Sequence, residues 1–216
     1  MSQLVMSPEL NIEPEPEDVI ALTGTVGGRT LRASVSGDGA NRPPNDFYPT
    51  PSHATEALLK HERFSGSIWE PACGDGSISR VLEASGYEDV YSSDLHQYGY
   101  GFTGVDFLGL DRPFLPLELP VGNIITNPPY SLAHRFAGRA LDLTQSKVAM
   151  LLKLTFLESA RRRPLFERGM LARIHVFSNR ITLHANGVAG ENSGMICFAW
   201  FVWDKSHIGP PTINWI

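Results

Sequence analysis

Cysteine is almost missing from this chain: 216 residues hold two, Cys73 and Cys197. Two cysteines make no disulfide framework, and neither belongs to a Cys-x-x-Cys pair. The seven histidines are scattered, with no His-x-x-x-His spacing. No structural or catalytic metal is therefore expected. Long uncharged apolar runs and an N-terminal signal peptide are also lacking, so a soluble, cytoplasmic protein without a membrane partner is expected. No internal repeat is visible. The glycine cluster at residues 74–76 is not a Gly-x-Gly-x-x-Gly fingerprint, because Ser79 takes the third glycine's place, and it lacks the Gly-Lys-Ser/Thr of a phosphate loop. A pyrophosphate ligand is thus disfavoured against a cofactor without phosphates.

What is present is enough for one sizeable domain and a tail. Hydrophobic residues make up 42%, sufficient for a packed core. The net charge of −5 is unevenly spread: residues 1–108 carry 6 Lys/Arg against 16 Asp/Glu, and residues 109–216 carry 12 against 7. A basic half can grip phosphates in an acidic molecule; an unevenly charged solvated surface gives the same counts. Residues 1–45 form an expected poorly ordered tail. Glu13-Pro14-Glu15-Pro16-Glu17 is acidic and proline-interrupted, and the stretch from Ser34 to Pro44 is rich in Gly, Ser, Asn and Pro. Little there offsets the entropy of ordering.

From Asp46 the pattern becomes periodic. Pro51-Ser52 opens a helix with Ala54, Ala57 and Leu58 on one face. Strands are expected over 65–72, over 89–94, in a short run ending near Asp106, and over 124–127, 147–154, 173–181 and 195–203. Helices fall between them: Ser77 to Ser85, stopped by Gly86, and one after Ser131 carrying Leu132, Phe136, Ala140 and Leu143 inward. Ser159 to Glu167 reads as a basic helical connection that Pro164 interrupts. Strands alternating with helices predict an α/β fold: a mostly parallel, seven-stranded sheet, one antiparallel strand from the last hairpin, and helices on both faces.

In such a sheet ligands gather at the carboxyl ends of the strands, and four candidate sites fall there. Glu70-Pro71-Ala72-Cys73-Gly74-Asp75-Gly76 leaves the first strand; its glycines allow close backbone approach, and Glu70 suits a cofactor ammonium. Asp94, followed by Leu95, ends the second strand, where a carboxylate can accept from ribose hydroxyls. In Asp106-Phe107-Leu108, Asp106 can accept from an adenine amine and Phe107 can stack on the ring. Asn127-Pro128-Pro129-Tyr130 ends the fourth strand. Its prolines lock the backbone, so the Asn127 side-chain oxygen and a backbone carbonyl converge beside the flat ring of Tyr130. Two acceptors and a π-face suit a planar ring with an exocyclic NH2. Taken singly, each acid also fits a helix cap or a solvated turn, and Asn127 to Tyr130 a Pro-Pro turn with Tyr130 in packing.

Together these segments resemble the DNA amino-methyltransferases that use S-adenosylmethionine, in the motif order of the gamma group. Asp46-Phe47-Tyr48-Pro49-Thr50-Pro51 resembles that group's upstream cofactor segment, 70–76 its cofactor loop, 106–108 its adenine-binding motif and 127–130 its catalytic motif. The resemblance implies a Rossmann-like class I methyltransferase fold over 46–216, methylation of adenine N6 in DNA, and S-adenosylhomocysteine as product. It implies cofactor contacts at Tyr48, Pro49, Thr50, Glu70, Ala72, Gly74, Asp94, Leu95, Asp106 and Phe107. Catalytic roles fall to Asn127, Pro128, Pro129 and Tyr130, acting on a base flipped from the duplex. The tetrad is shared with enzymes that methylate guanine N2 or protein glutamine, and cytosine N4 is a further target, so these stay open, as does a non-catalytic binding protein.

The chain departs from the family in its second half. Typical members carry a sizeable target-recognition domain; here about 157–194 is the room for one. Candidate substrate contacts are Arg161, Arg162 and Arg163 with Arg168, the loop from His184 to Gly194, and Phe177 with Arg180 near the extruded base; a solvated arginine face and a core Phe177 are the alternatives. Trp200, Phe201 and Trp203 read as core. So small a surface implies relaxed or very short sequence specificity, or recognition supplied by a partner, and a phage or prophage setting in a bacterial cytoplasm fits its compactness.

Overall fold

The computed structural model describes the backbone of residues 22–26 and 29–33, and residues 44–109, 120–167, 170–184 and 196–216. The chain divides into two units, residues 1–42 and 43–216. In the first, β1 (Leu22–Val26) and β2 (Arg29–Ala33) pair as an antiparallel hairpin, a strand pair the sequence pattern did not announce. The acidic and glycine-rich stretches expected to be poorly ordered lie outside the described residues, as do Arg168 and 185–194 of the His184 loop.

The second unit is built on an eight-stranded sheet. Its strands are β3 (Ile68–Glu70), β4 (Val90–Asp94), β5 (Phe102–Thr103), β6 (Val121–Thr126), β7 (Thr144–Lys153), β8 (Leu171–Val176), β9 (Phe198–Asp204) and β10 (Thr212–Trp215). The order across the sheet is β10-β8-β9-β7-β6-β3-β4-β5. Only β9 runs against its neighbours β7 and β8; the other pairings are parallel. The expected seven strands become eight because β10 joins the edge beside β8. An edge strand has little to bury, and Trp215 stays 71% exposed, so β10 carries no apolar alternation that periodicity can detect.

The central strands are buried on both faces, and successive residues alternate between two cores. Ile124, Val148, Met150, Leu152, Phe201 and Trp203 point to one side, toward α3 (Ala133–Leu143). Ile125, Ala149, Leu151, Trp200 and Val202 point to the other, toward α1 (Ser52–His61) and α2 (Ser77–Ala84). This is why β6, β7 and β9 read as continuous apolar runs rather than alternating ones. The Trp200 indole donates 2.8 Å to the Ala54 carbonyl and locks α1 onto the sheet. The basic connection is a 3-10 turn (Ala160–Arg162) followed by α4 (Arg163–Glu167). Pro164 does not interrupt that helix; it sits in the first turn, where no N–H is needed.

Chain direction sets the location of the site. From β3 the chain steps outward through β4 and β5, then returns to β6 on the other flank of β3. The carboxyl ends of β3 and β6 therefore flank the topological switch point.

Candidate active site

At the end of β3, residues 71–76 turn sharply into α2. Gly74 and Gly76 have φ of +53° and +84°, a region side chains resist. Space is equally restrictive: a Cβ on Gly74 would lie 2.5 Å from the Phe47 ring, and one on Gly76 2.5 Å from the Tyr100 ring. Phe47 stacks on Tyr98 with centroids 4.1 Å apart. The glycine turn is thus roofed by aromatic rings from an upstream and a downstream segment. Sequence motifs gave no sign of Tyr98 and Tyr100; the Gly99 and Gly101 around them mark only a tight loop.

Asp94 ends β4 and staples this turn. Its two carboxylate oxygens accept from the backbone N–H of Gly74 (2.9 Å) and of His96 (2.8 Å). Each oxygen keeps a second lone pair for a ligand, and Leu95 beside it is half exposed. Asp106 is exposed and accepts only locally, from the Leu108 N–H at 3.0 Å.

Two expectations are corrected here. Glu70 does not face the rim as an ammonium acceptor. It is 1% exposed, and its Oε2 accepts from the N–H (2.9 Å) and hydroxyl of Ser79, whose Oγ lies 2.6 Å from that of Ser92. The open N–H groups of the first turn of α2 draw the carboxylate inward. Burial pushes its pKa well above the usual carboxylate value, the Ser79 bonds opposing only in part and Asp75 and Asp94 adding to the rise. Phe107 does not stack at the rim either. It is 2% exposed and packs edge-on against Trp69 (5.1 Å) and beside Phe136 (4.8 Å), because the larger apolar surface available to it lies in the core.

At the end of β6 the tetrad is assembled with the upstream segment. Asn127 Nδ2 donates to the Tyr48 carbonyl (3.0 Å) and to Thr50 Oγ1 (3.1 Å). Its Oδ1 is buried with no hydrogen-bond partner. Pro128 is buried and Pro129 half-buried. Asp46 Oδ2 accepts from the N–H (3.2 Å) and hydroxyl (3.1 Å) of Ser131, capping the short 3-10 turn Tyr130–Leu132. The Tyr130 ring is half-buried while its hydroxyl oxygen is covered and makes no hydrogen bond. Burial, with Asp46 and Tyr48 nearby, drives that phenol well above its ordinary pKa, an effect the adjacent Asn127 amide moderates. The phenol therefore stays neutral at physiological pH.

Three neighbours of Tyr130 complete the surroundings: Tyr48 at 6.0 Å, Phe198 at 5.7 Å, and Lys153 Nζ 5.3 Å over the ring. Sequence reading missed Lys153 and Phe198. A usable signal existed: Lys153 is the last residue of β7, and Phe198, first in the antiparallel β9, pairs with it in register. An antiparallel strand begins at the rim where its parallel neighbours end.

The expected substrate contacts are only partly brought together. Phe177 packs on the same cluster as Tyr130, and Arg180 is exposed just beyond β8. The arginine trio does not act as one patch. Arg162 turns inward, donating from Nε to the Phe156 (2.8 Å) and Glu158 (2.9 Å) carbonyls and lying 5.0 Å over the Phe156 ring. Arg163 pairs with Glu167 one helical turn on. Arg161 is half-buried. Among the described residues, no group of three or more His, Cys, Asp or Glu is placed to hold a metal, and no helix is long and apolar enough to cross a membrane.

No protein family matches the sequence, and no curated protein matches it. Solved structures do match its shape. A protein assigned as a type I restriction-enzyme modification subunit, from Vibrio vulnificus, superposes with a TM-score of 0.51 at 14% identity, over 82% of this chain and 48% of its own. One assigned as an RNA methyltransferase, from Pyrococcus horikoshii, gives 0.53 at 13% identity, over 74% and 87%. DrdV, solved in complex with DNA, gives 0.52 at 17% identity, over 82% and 28%. The chain spans about half the length of the first of these. At such identities the likeness establishes the fold alone: a Rossmann-like, mostly parallel α/β sheet.

The site's residues suit a nucleoside cofactor without phosphates. The turn at 70–76 carries no Lys or Arg to neutralise phosphates, while acceptors for a nucleoside stand at Asp94 and Asp106. The buried, unpartnered Asn127 oxygen lies at the neighbouring strand end.

Proposed function

We propose that the chain is an S-adenosylmethionine-dependent methyltransferase acting on an exocyclic amine of a nucleobase, adenine N6 in DNA. One observation carries the reading: the Asn127 amide is tied down by its nitrogen, and its oxygen is left buried and unpaired beside Tyr130. A buried acceptor without a donor costs about 1–3 kcal/mol, and an arriving N–H removes that cost. The Asn127 oxygen and the Pro128 carbonyl accept from the amine, drawing its lone pair out of ring conjugation. Tyr130 supplies the stacking face. Holding the nucleophile this way lowers the barrier by orientation and electrostatics, with no side-chain nucleophile. Cys73 fits that account as a packing residue, buried in the glycine turn. S-Adenosylmethionine, bound by the turn at 72–76, Asp94, Leu95, Asp106, Tyr48 and Pro49, supplies an electrophilic sulfonium methyl. DNA as the substrate rests on the sequence resemblance, supported by the neighbours that include a modification subunit and a DNA complex.

Incubating the protein with labelled S-adenosylmethionine and unmethylated DNA, RNA and protein pools, then digesting to nucleosides, tests this. The expected product is N6-methyladenine in DNA; label in guanine or in glutamine would move the target. Asn127→Ala is expected to lower turnover by about 10²–10³-fold, as for loss of a charge-stabilising contact in other enzymes. Unchanged turnover would refute the catalytic role.

A further inference from the structure

The Asn127 amide has its nitrogen engaged and its oxygen buried without a partner, and the cause lies in the upstream segment. A primary amide has two N–H donors and one carbonyl acceptor. Both donors are taken, by the Tyr48 carbonyl at 3.0 Å and by Thr50 Oγ1 at 3.1 Å. The Tyr48 carbonyl has no proton to give, so the flipped amide would set oxygen against oxygen there; hydrogen-bond partners of this kind decide which end of an amide is which. Thr50 takes the remaining N–H. It is 5% exposed, too covered for water to replace it freely. Without it, one N–H of Asn127 would lose its acceptor, and the amide would carry an unsatisfied donor as well as an unpaired Oδ1.

We propose that Thr50 is a positioning residue: by saturating the Asn127 amide nitrogen it leaves Oδ1 as the sole polar atom of that side chain turned to the substrate, which restricts the site to groups that arrive with N–H. The kinetic part rests on the methyl-transfer reading above; the orientation part does not. The role differs from a cofactor contact, which would act on donor affinity.

Three forms separate these roles: wild type, Thr50→Val, which keeps the shape but loses the acceptor, and Thr50→Ser, which keeps the acceptor. Thr50→Val is expected to lower kcat about 10- to 100-fold, the effect of one lost hydrogen bond on an oriented group, with KM for S-adenosylmethionine unchanged. Thr50→Ser is expected to restore most of kcat. A wild-type kcat in Thr50→Val, a rise confined to the donor KM, or equal impairment in Thr50→Ser would each overturn the proposal. A second readout is independent of turnover. In 15N-labelled protein, the Asn127 side-chain NH2 resonances, assigned by their loss in Asn127→Ala, should show two protected protons in the wild type. One should exchange faster and shift in Thr50→Val. Identical shifts and exchange in both proteins would overturn the proposal even if no substrate were methylated; that lack of activity, with the amide responding as expected, would remove the methyl-transfer reading alone.

Discussion

Glu70 shows how one buried carboxyl can be misassigned by its position in a motif. It stands at a strand end beside a glycine turn, yet its partner is the first turn of α2. Its folded pKa is raised above the ordinary 4.5. A raised carboxyl pKa means the folded protein holds the proton more tightly than the unfolded chain, so the group subtracts stability as pH climbs from 4.5 toward the folded value. Glu70→Gln keeps the acceptor oxygen and removes the buried charge. Its melting temperature at pH 8 is expected to equal or exceed that of wild type, with the advantage shrinking below pH 4.5 in a series of thermal melts. Binding of S-adenosylhomocysteine, followed by calorimetry, should be unchanged, whereas a weakened Kd would return Glu70 to the cofactor site.

The element that most constrains the site is the turn from β3 into α2, together with the segment 46–50 laid over it. Gly74 is restricted twice, by its φ of +53° and by the Phe47 ring over it. Gly74→Ala is therefore expected to cost about 1–3 kcal/mol, the backbone part near 1 and the rest from the displaced ring. Pairing Gly74→Ala with Phe47→Ala should be less destabilising than the sum of the two single changes, because the ring that clashes is gone while the strained backbone remains. Denaturant melts of the three variants measure this; strict additivity would mean Phe47 does not rest on the turn. At the other end of the same segment, Asp46 caps the turn at Tyr130–Leu132. Asp46→Ala is expected to lose about 1 kcal/mol, the usual worth of such a cap.

At the scale of the whole sheet the two rims divide their tasks. The rim with the strand carboxyl ends holds the candidate site. The opposite rim holds a buried ion cluster: Glu62, just past α1, accepts from Lys147 Nζ (2.9 Å), Arg173 and His175 Nε2 (3.0 Å), while Asp204 takes Arg173 (3.0 Å). Burial alone would raise the Glu62 pKa; His175, Arg173 and Lys147 outweigh it and bring it to about 2. A depressed carboxyl pKa gives stability that is full above the unfolded value of 4.5 and lost as pH falls toward 2. Glu62→Gln leaves the cations facing one another and is expected to cost about 3 kcal/mol at neutral pH. The gap to wild type should close between pH 4.5 and 2, and the methyl transfer proposed above should survive near neutral pH, since the cluster lies at the far rim. A gap independent of pH would show that Glu62 is not charged in the folded protein.

Some of this is legible in the sequence. Apolar runs and turn residues reveal β6, β7 and β9, the parallel character of the sheet and the antiparallel last hairpin, because strands buried on both faces must be apolar throughout. Chain order alone also puts Glu70, Asp94 and Asn127 at successive strand ends. One edge escaped: β10 buries little and leaves no periodic trace, whereas the short strand expected before Asp106 is the two-residue β5. Which way a side chain at a strand end turns was equally hidden. Glu70 and Phe107 turn inward, Arg162 folds back on its own loop, and the unmatched oxygen of Asn127 exists only because Tyr48 and Thr50, some eighty positions away in sequence, lie against its nitrogen. Local pattern records what each residue prefers; the partner that satisfies or orphans a polar atom arrives from elsewhere in the chain, and only tertiary packing decides it.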